Sequence, residues 1–138
     1  MGKIITAALL LVIITFLGCK KDSVTDASSN GNIPVIANTA NAFAFTLAAN
    51  SYTANTEYDL TFTTDSLACS IIISNQTSGS ASLTIVDSIN SVVYSNAQLS
   101  NQVFAYTQAN KGIPRKIKIN FSNYTGSFSF ALAKSGKS

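Results

Sequence analysis

The sequence predicts an all-β, antiparallel domain, and three observations carry that prediction. From Ala42 onward apolar residues alternate with polar ones at period two, the mark of half-buried strands. Only 11% of the 138 residues are charged, and Ser, Thr and Asn fill most of the polar share. Short polar side chains compete with helix hydrogen bonding, whereas Thr suits a pleated surface. Turn-forming clusters recur about every ten residues, the rhythm of a β-sandwich or a barrel.

The clearest strands lie at the end of the chain. In Ser127 to Ala133, Phe128, Phe130 and Leu132 share one face and small residues take the other. In Lys116 to Phe121, Ile117, Ile119 and Phe121 point inward while Lys116, Lys118 and Asn120 point out. Ser122-Asn123-Tyr124-Thr125-Gly126 between them has turn chemistry, so the two runs read as an antiparallel hairpin. Earlier runs of the same form are Phe43 to Leu47, Tyr58 to Thr63, Leu67 to Ser74, Ala81 to Val86, Val92 to Tyr94 and Val103 to Thr107. Turns are expected at Asp65-Ser66, at Asn75 to Ser80 and at Asp87 to Asn90. The sum is an antiparallel β-sandwich, Ig-like or jelly-roll-like, of about seven to eight strands. Ile33, Val35 and Ile36 are placed to begin it as an edge strand interrupted by Pro34.

The first nineteen residues have a different character. Lys3 precedes an apolar run from Ile4 to Gly18, about fifteen residues, shorter than the roughly twenty a spanning helix needs and of the length of a secretory signal core. The segment reads as an export signal, with a plain secretory signal or an uncleaved anchor helix as the alternatives. Its end, Phe16-Leu17-Gly18-Cys19, resembles the lipobox of bacterial lipoproteins, although Leu17 is bulkier than the usual small residue and Phe16 replaces Leu. The resemblance implies residues 1–18 as a signal helix that is removed, a lipid thioether on Cys19, and an acylated (palmitate-type) new amino terminus. Two or three acyl chains at about 0.8 kcal/mol per buried CH₂ hold a protein on a membrane essentially permanently. Residues 19–40 then form the lipidated Cys and a flexible tether, and residues 41–138 the β-sandwich domain. Lys20-Lys21-Asp22 after the Cys resembles the sorting signals of outer-membrane and surface-exposed lipoproteins of Gram-negative bacteria.

Composition excludes much chemistry. The chain has no His, which removes His-based triads and the usual ligand of zinc, copper and non-haem iron sites. Cys69 is in phase with Leu67, Ile71 and Ile73 and reads as a small buried hydrophobe rather than a nucleophile. Glu57 and Asp59 share a face at period two; paired carboxylates can run glycoside hydrolysis, but the outward face of a strand makes them a solvated pair. Asp65 and Asp87 open turns, and a calcium site from Asp87 and Asn90 is the weaker reading of the second. No catalytic residue, metal or cofactor is expected.

Three tripeptides, at Ser23, Ser66 and Ser88, place Asp before and an apolar residue after the Ser. They resemble the Asp-Ser/Thr-apolar acceptors of a bacterial O-glycosylation system, and Asp-Ser is also a common turn start. The net charge is +3, with every acidic residue before Asn90 and Lys111, Arg115, Lys116, Lys118, Lys134 and Lys137 after it. Lys111, Arg115, Lys116 and Lys118 read either as solubilising charge on an exposed strand or as a contact to anionic head groups; nucleic acid is not the expected partner.

Gly112 to Ile119, Gly126 to Leu132, Ser82 to Asp87 and Val92 to Tyr94 together resemble the closing strands of bacterial pre-peptidase C-terminal type β-sandwich domains, over about fifty residues. Arg115 and Lys116 stand where a small residue and Tyr are expected, and Asn90 replaces the turn Gly. That resemblance implies an accessory binding module. The expected function is therefore a non-catalytic, lipid-anchored envelope lipoprotein of the outer membrane, binding a glycan or an envelope protein through Tyr52, Tyr106 and Tyr124. The alternative is a structural subunit of an envelope assembly that pairs through exposed strand edges; a small hydrolase is a distant third.

Overall fold

The computed structural model describes residues 31–108 and 111–135, so the stretch expected as an export signal, Cys19 and Ser23 lie outside the described residues. Six strands and no helix occur among the described residues: β1 (Val35–Asn38), β2 (Ala42–Asp59), β3 (Leu67–Val86), β4 (Val92–Leu99), β5 (Gln102–Gln108) and β6 (Lys116–Lys134). All pairings are antiparallel, in the order β1-β2-β6-β3-β4, with β5 on the first part of β3.

Six strands replace the seven to eight expected because runs separated by turn residues are single long strands. β3 contains both Leu67–Ser74 and Ala81–Val86, and β6 contains both halves of the expected terminal hairpin. The two halves of β6 do not pair with each other; both pair with β2 and with β3. The expected strand Tyr58 to Thr63 also changes: β2 ends at Asp59, and the following segment is non-strand with Leu60 and Phe62 buried. Leu60 N–H donates to Arg115 O at 2.7 Å, which carries the chain past the start of β6. β1 lies within the stretch expected as tether and pairs Val35 to Asn38 with Thr46 to Phe43.

The long strands are bent double. The Phe45 and Tyr58 rings lie 6.2 Å apart, yet thirteen residues of straight strand would separate them by roughly 40 Å. Phe121 and Phe128 on β6, at 5.2 Å, make the same point. Each long strand therefore has two limbs joined at a corner. The first limb holds β1, the start of β2, the end of β6, the start of β3, and β5; the second holds the remaining halves and β4. Their inner faces share one apolar core in which Phe45 stacks on Phe121 at 6.0 Å and meets Phe128 edge-on at 5.9 Å.

Bulges at the corners keep apolar residues inward on both limbs. In β2 the buried positions are Phe43, Phe45 and Leu47, all odd, and beyond the corner the inward ones are Tyr52, Ala54, Thr56 and Tyr58, all even. β6 switches likewise, from Ile117, Ile119 and Phe121 to Phe128, Phe130 and Leu132. One extra residue exchanges the two faces of a strand, and the register shifts between Ala49 and Ala54 supply it.

Candidate functional site

The corner is where this sequence departs furthest from ordinary strand chemistry. Left-handed backbone occurs at Ser51 in β2, at Asn75 and Gly79 in β3, and at Asn123 in β6, and Asn tolerates that region better than most side chains. Gly79, at φ 72°, is required sterically as well: a Cβ there would lie 2.2 Å from the backbone oxygen of Asn123. At Gly126 a Cβ would meet Gln76 Cα at 2.8 Å, so β3 and β6 approach more closely than side chains allow.

Bending frees backbone groups from the ladder, and the Ser, Thr and Asn of this region recover them. Asn123 N–H donates to Thr53 Oγ1 at 2.8 Å, and Ser51 N–H to Thr125 Oγ1 at 2.9 Å. Gln76 N–H donates to Asn101 Oδ1 at 2.8 Å while Asn101 Nδ2 donates back to Gln76 O at 3.2 Å, tying the β4–β5 turn to the corner. The chain reaches the domain at the same place, where Asn32 N–H donates to Ala48 O at 2.9 Å.

Around these residues lies an open cleft of about 350 Å³, walled by Gly31, Ala48 to Asn50, Asn75, Thr77 and Thr125 to Ser127. The lining is wholly uncharged and mixes small apolar surface with amide and hydroxyl groups. The amide and hydroxyl groups among these residues can donate and accept hydrogen bonds. Sequence reading assigned Asn75 to Ser80 and Ser122 to Gly126 as turns and so missed the cleft. The visible signal was two turn-rich segments of similar composition, which the topology brings side by side.

The sequence-predicted residues are scattered. Tyr124 is fully buried, its hydroxyl donating to Ser127 O at 3.2 Å, and burial raises its pKa. A ring so enclosed offers no face to a ligand. Tyr52 is half-buried and packs against the core, its ring 5.5 Å from that of Phe121. Tyr106 pairs through its backbone with Cys69 on the first limb, and its side chain lies outside the described residues. Of the two described tyrosine side chains, Tyr124 is enclosed and Tyr52 packs against the core.

The basic set divides. Lys116 and Lys118 both reach Glu57, at 3.0 and 3.3 Å, on the outward face of the second limb. Hydrogen bonding from Lys116 and then Lys118 holds the Glu57 carboxyl below its ordinary value. Lys111 and Arg115 are exposed near the start of β6. With Asp59 opposite Lys116 in register, this face is a mixed-charge ladder rather than a cationic patch.

Asp87 caps its own turn, its carboxylate accepting from the N–H groups of Ile89 and Ser91, both at 2.9 Å. That arrangement leaves Ser88 exposed at the tip of the turn. Ser66 is half-buried, its N–H donating to Thr64 Oγ1 and its carbonyl accepting from Ser135. Cys69 is buried at 4% exposure, and desolvation pushes its thiol up to about 12. Among the described residues no group of His, Cys, Asp and Glu is arranged to hold a metal ion. No protein-family model matches the chain, and neither does any curated protein.

Proposed function

We propose that this protein is a lipid-anchored, non-catalytic module of a bacterial outer membrane that binds a neutral, hydroxyl-rich ligand such as a glycan segment in its corner cleft. The observation that carries the anchoring is Phe16-Leu17-Gly18-Cys19 after an apolar run, followed by polar chain up to Pro34. Lys20 to Asn30 is eleven residues, which as a spacer spans roughly 18 Å, enough to hold the domain just clear of head groups. Since the chain reaches the domain at Gly31, beside the cleft, the cleft belongs to the membrane-facing end.

Two groups that an enzyme would use are tuned away from catalysis. The Cys69 thiol is raised, whereas a nucleophile needs a thiolate; the Glu57 carboxyl is lowered, whereas a general acid needs a raised value. In fold terms, we read the doubled sheet as a sandwich made by bending three strands. The Asp-Ser sites at Ser23, Ser66 and Ser88 remain part of this proposal as glycan acceptors, Ser88 being the most accessible described one.

Intact mass of the protein from its native membrane tests the first half. A mass equal to residues 19–138 plus acyl chains, lost from the membrane fraction in Cys19→Ser, is expected; an unacylated wild type overturns it. Sugar residues on the serines would appear in the same spectrum as further discrete increments. Titration with neutral oligosaccharides, followed by amide NMR shifts, tests the second half. Shifts at Asn75 and Thr77 are expected, with affinity falling about tenfold in the double Ala variant; shifts confined elsewhere overturn the assignment.

A further inference from the structure

A sheet of this kind leaves strand edges open, and proteins blunt such edges with charge, Pro, bulges or short length. Three of the four edges here are blunted. β1 has four residues and follows Pro34. The second limb of β2 carries Glu57 and Asp59. β4 meets β3 with two register shifts.

β5 has none of these devices. Its seven residues contain no charge, Pro or Gly, and Leu67 to Ile73 of β3 pair with Gln108 to Gln102 without a shift. Among the described residues, β3 is its sole strand partner. Val103 is 78% exposed at its outward face and lies in register with Ile72, itself 44% exposed.

We propose that β5 is a self-association seam, to which a second copy of this chain adds its own β5, antiparallel, across a two-fold axis near Ala105. Three observations favour a second copy as the occupant. The strand is neutral within a chain of net charge +3, so self-pairing brings no like charges together, whereas a charged partner would find nothing to pair with. A two-fold interface needs one patch complementary to itself, and an axis at the middle residue pairs all seven positions. The same axis sets Ala105 opposite its own copy and odd positions opposite odd ones, so the outward face that Val103 and Ala105 present continues across the seam. That face is uncharged across all five strands of the limb, from Val35 through Thr46, Ser129 and Ile72 to Val103.

A seam of seven residues is about 23 Å long and one strand wide. It falls below the roughly 800 Å² per partner of a standard interface, which makes the dimer weak and dependent on local concentration. The inference does not depend on the lipid or on the cleft.

Sedimentation equilibrium of the full chain in density-matched detergent, from micromolar to submillimolar protein, tests it. A monomer–dimer equilibrium is expected, unchanged in Cys19→Ser, which separates pairing from lipid clustering. Val103→Lys, and independently Ala105→Lys, should weaken the dimer at least about tenfold while circular dichroism stays native. Val35→Lys, at the opposite edge of the same face, should leave it intact. A wild type that stays monomeric at submillimolar concentration, open-ended oligomers in place of dimers, or dimerisation unaffected by both β5 variants overturns the proposal.

Discussion

On the first limb of the sheet the outward residues are Ala, Ser and Thr with Val35, Ile72 and Val103, and no charge interrupts them. On the second limb the same strands β2, β6 and β3 carry Asn55, Glu57 and Asp59, then Lys116, Lys118 and Asn120, then Ser82 and Thr84. Inward, the limbs are alike, because both contribute to one core and any polar residue there would lose its water. The outward face escapes that constraint, so its chemistry is free to diverge within a single strand. The divergence happens across the few corner residues, which makes the corner both the structural joint and the boundary between a neutral surface and a charged one.

If the limbs are one cooperative unit, the aromatic contacts between them carry a large share of the stability. Phe45 is fully buried and touches Tyr58, Phe121 and Phe128. Phe45→Ala should cost about 3–5 kcal/mol, read from urea unfolding, and the transition should remain single. A biphasic transition would mean that the limbs unfold separately and would break the comparison at its root.

Next in size is the joint itself. Gly79→Ala forces a left-handed side chain against the backbone oxygens of Asn123 and Ser122, and neither can retreat without opening the β3–β6 ladder. A loss of more than about 2 kcal/mol is expected. Gly31→Ala is the matched control, since its Cβ would meet only Ala48 O at an ordinary 3.6 Å, and it should stay within about 0.5 kcal/mol of wild type. Equal effects at the two glycines would remove the corner's special standing.

The limbs were far more legible in the sequence than the joint. Period-two alternation identifies Phe128, Phe130, Leu132, Ile117, Ile119 and Phe121 as inward residues, and all six are buried. It does so because each half-strand buries one face whatever lies at its end. Asn75 to Ser80 and Ser122 to Gly126 carry the residues of a reversal, and the backbone does reverse there. A hairpin and a corner demand the same left-handed Asn and Gly, and they differ only in whether the ladder continues with the same neighbour, which is a long-range fact. Tyr124 shows the same gap. Set between Asn123 and Thr125 it looks like an exposed turn residue, yet the corner folds its ring into the core, where desolvation raises its pKa.

The smallest expected effect sharpens the contrast between the two outer faces. Glu57 is held by Lys116 and Lys118, and its folded pKa lies below the ordinary 4.5. A depressed carboxyl contributes stability that is present above the unfolded value and lost as pH falls through the folded one. The wild type should therefore lose a small increment as pH drops from above 4.5, and Glu57→Gln should lack that part of the profile. At the alkaline end the Lys116 ammonium, raised above its usual 10.5 chiefly by its hydrogen bond to Glu57, gives the opposite sign. Its contribution is complete below 10.5 and vanishes as pH rises through the folded value. Both groups face solvent, so molar salt should flatten both slopes. The first limb has no comparable pair on its outward face, so Ser129→Ala there should leave the acid and alkaline limbs of the stability profile unmoved. A pH-dependent change in that variant would show that the neutral face is coupled electrostatically to the charged one through the corner.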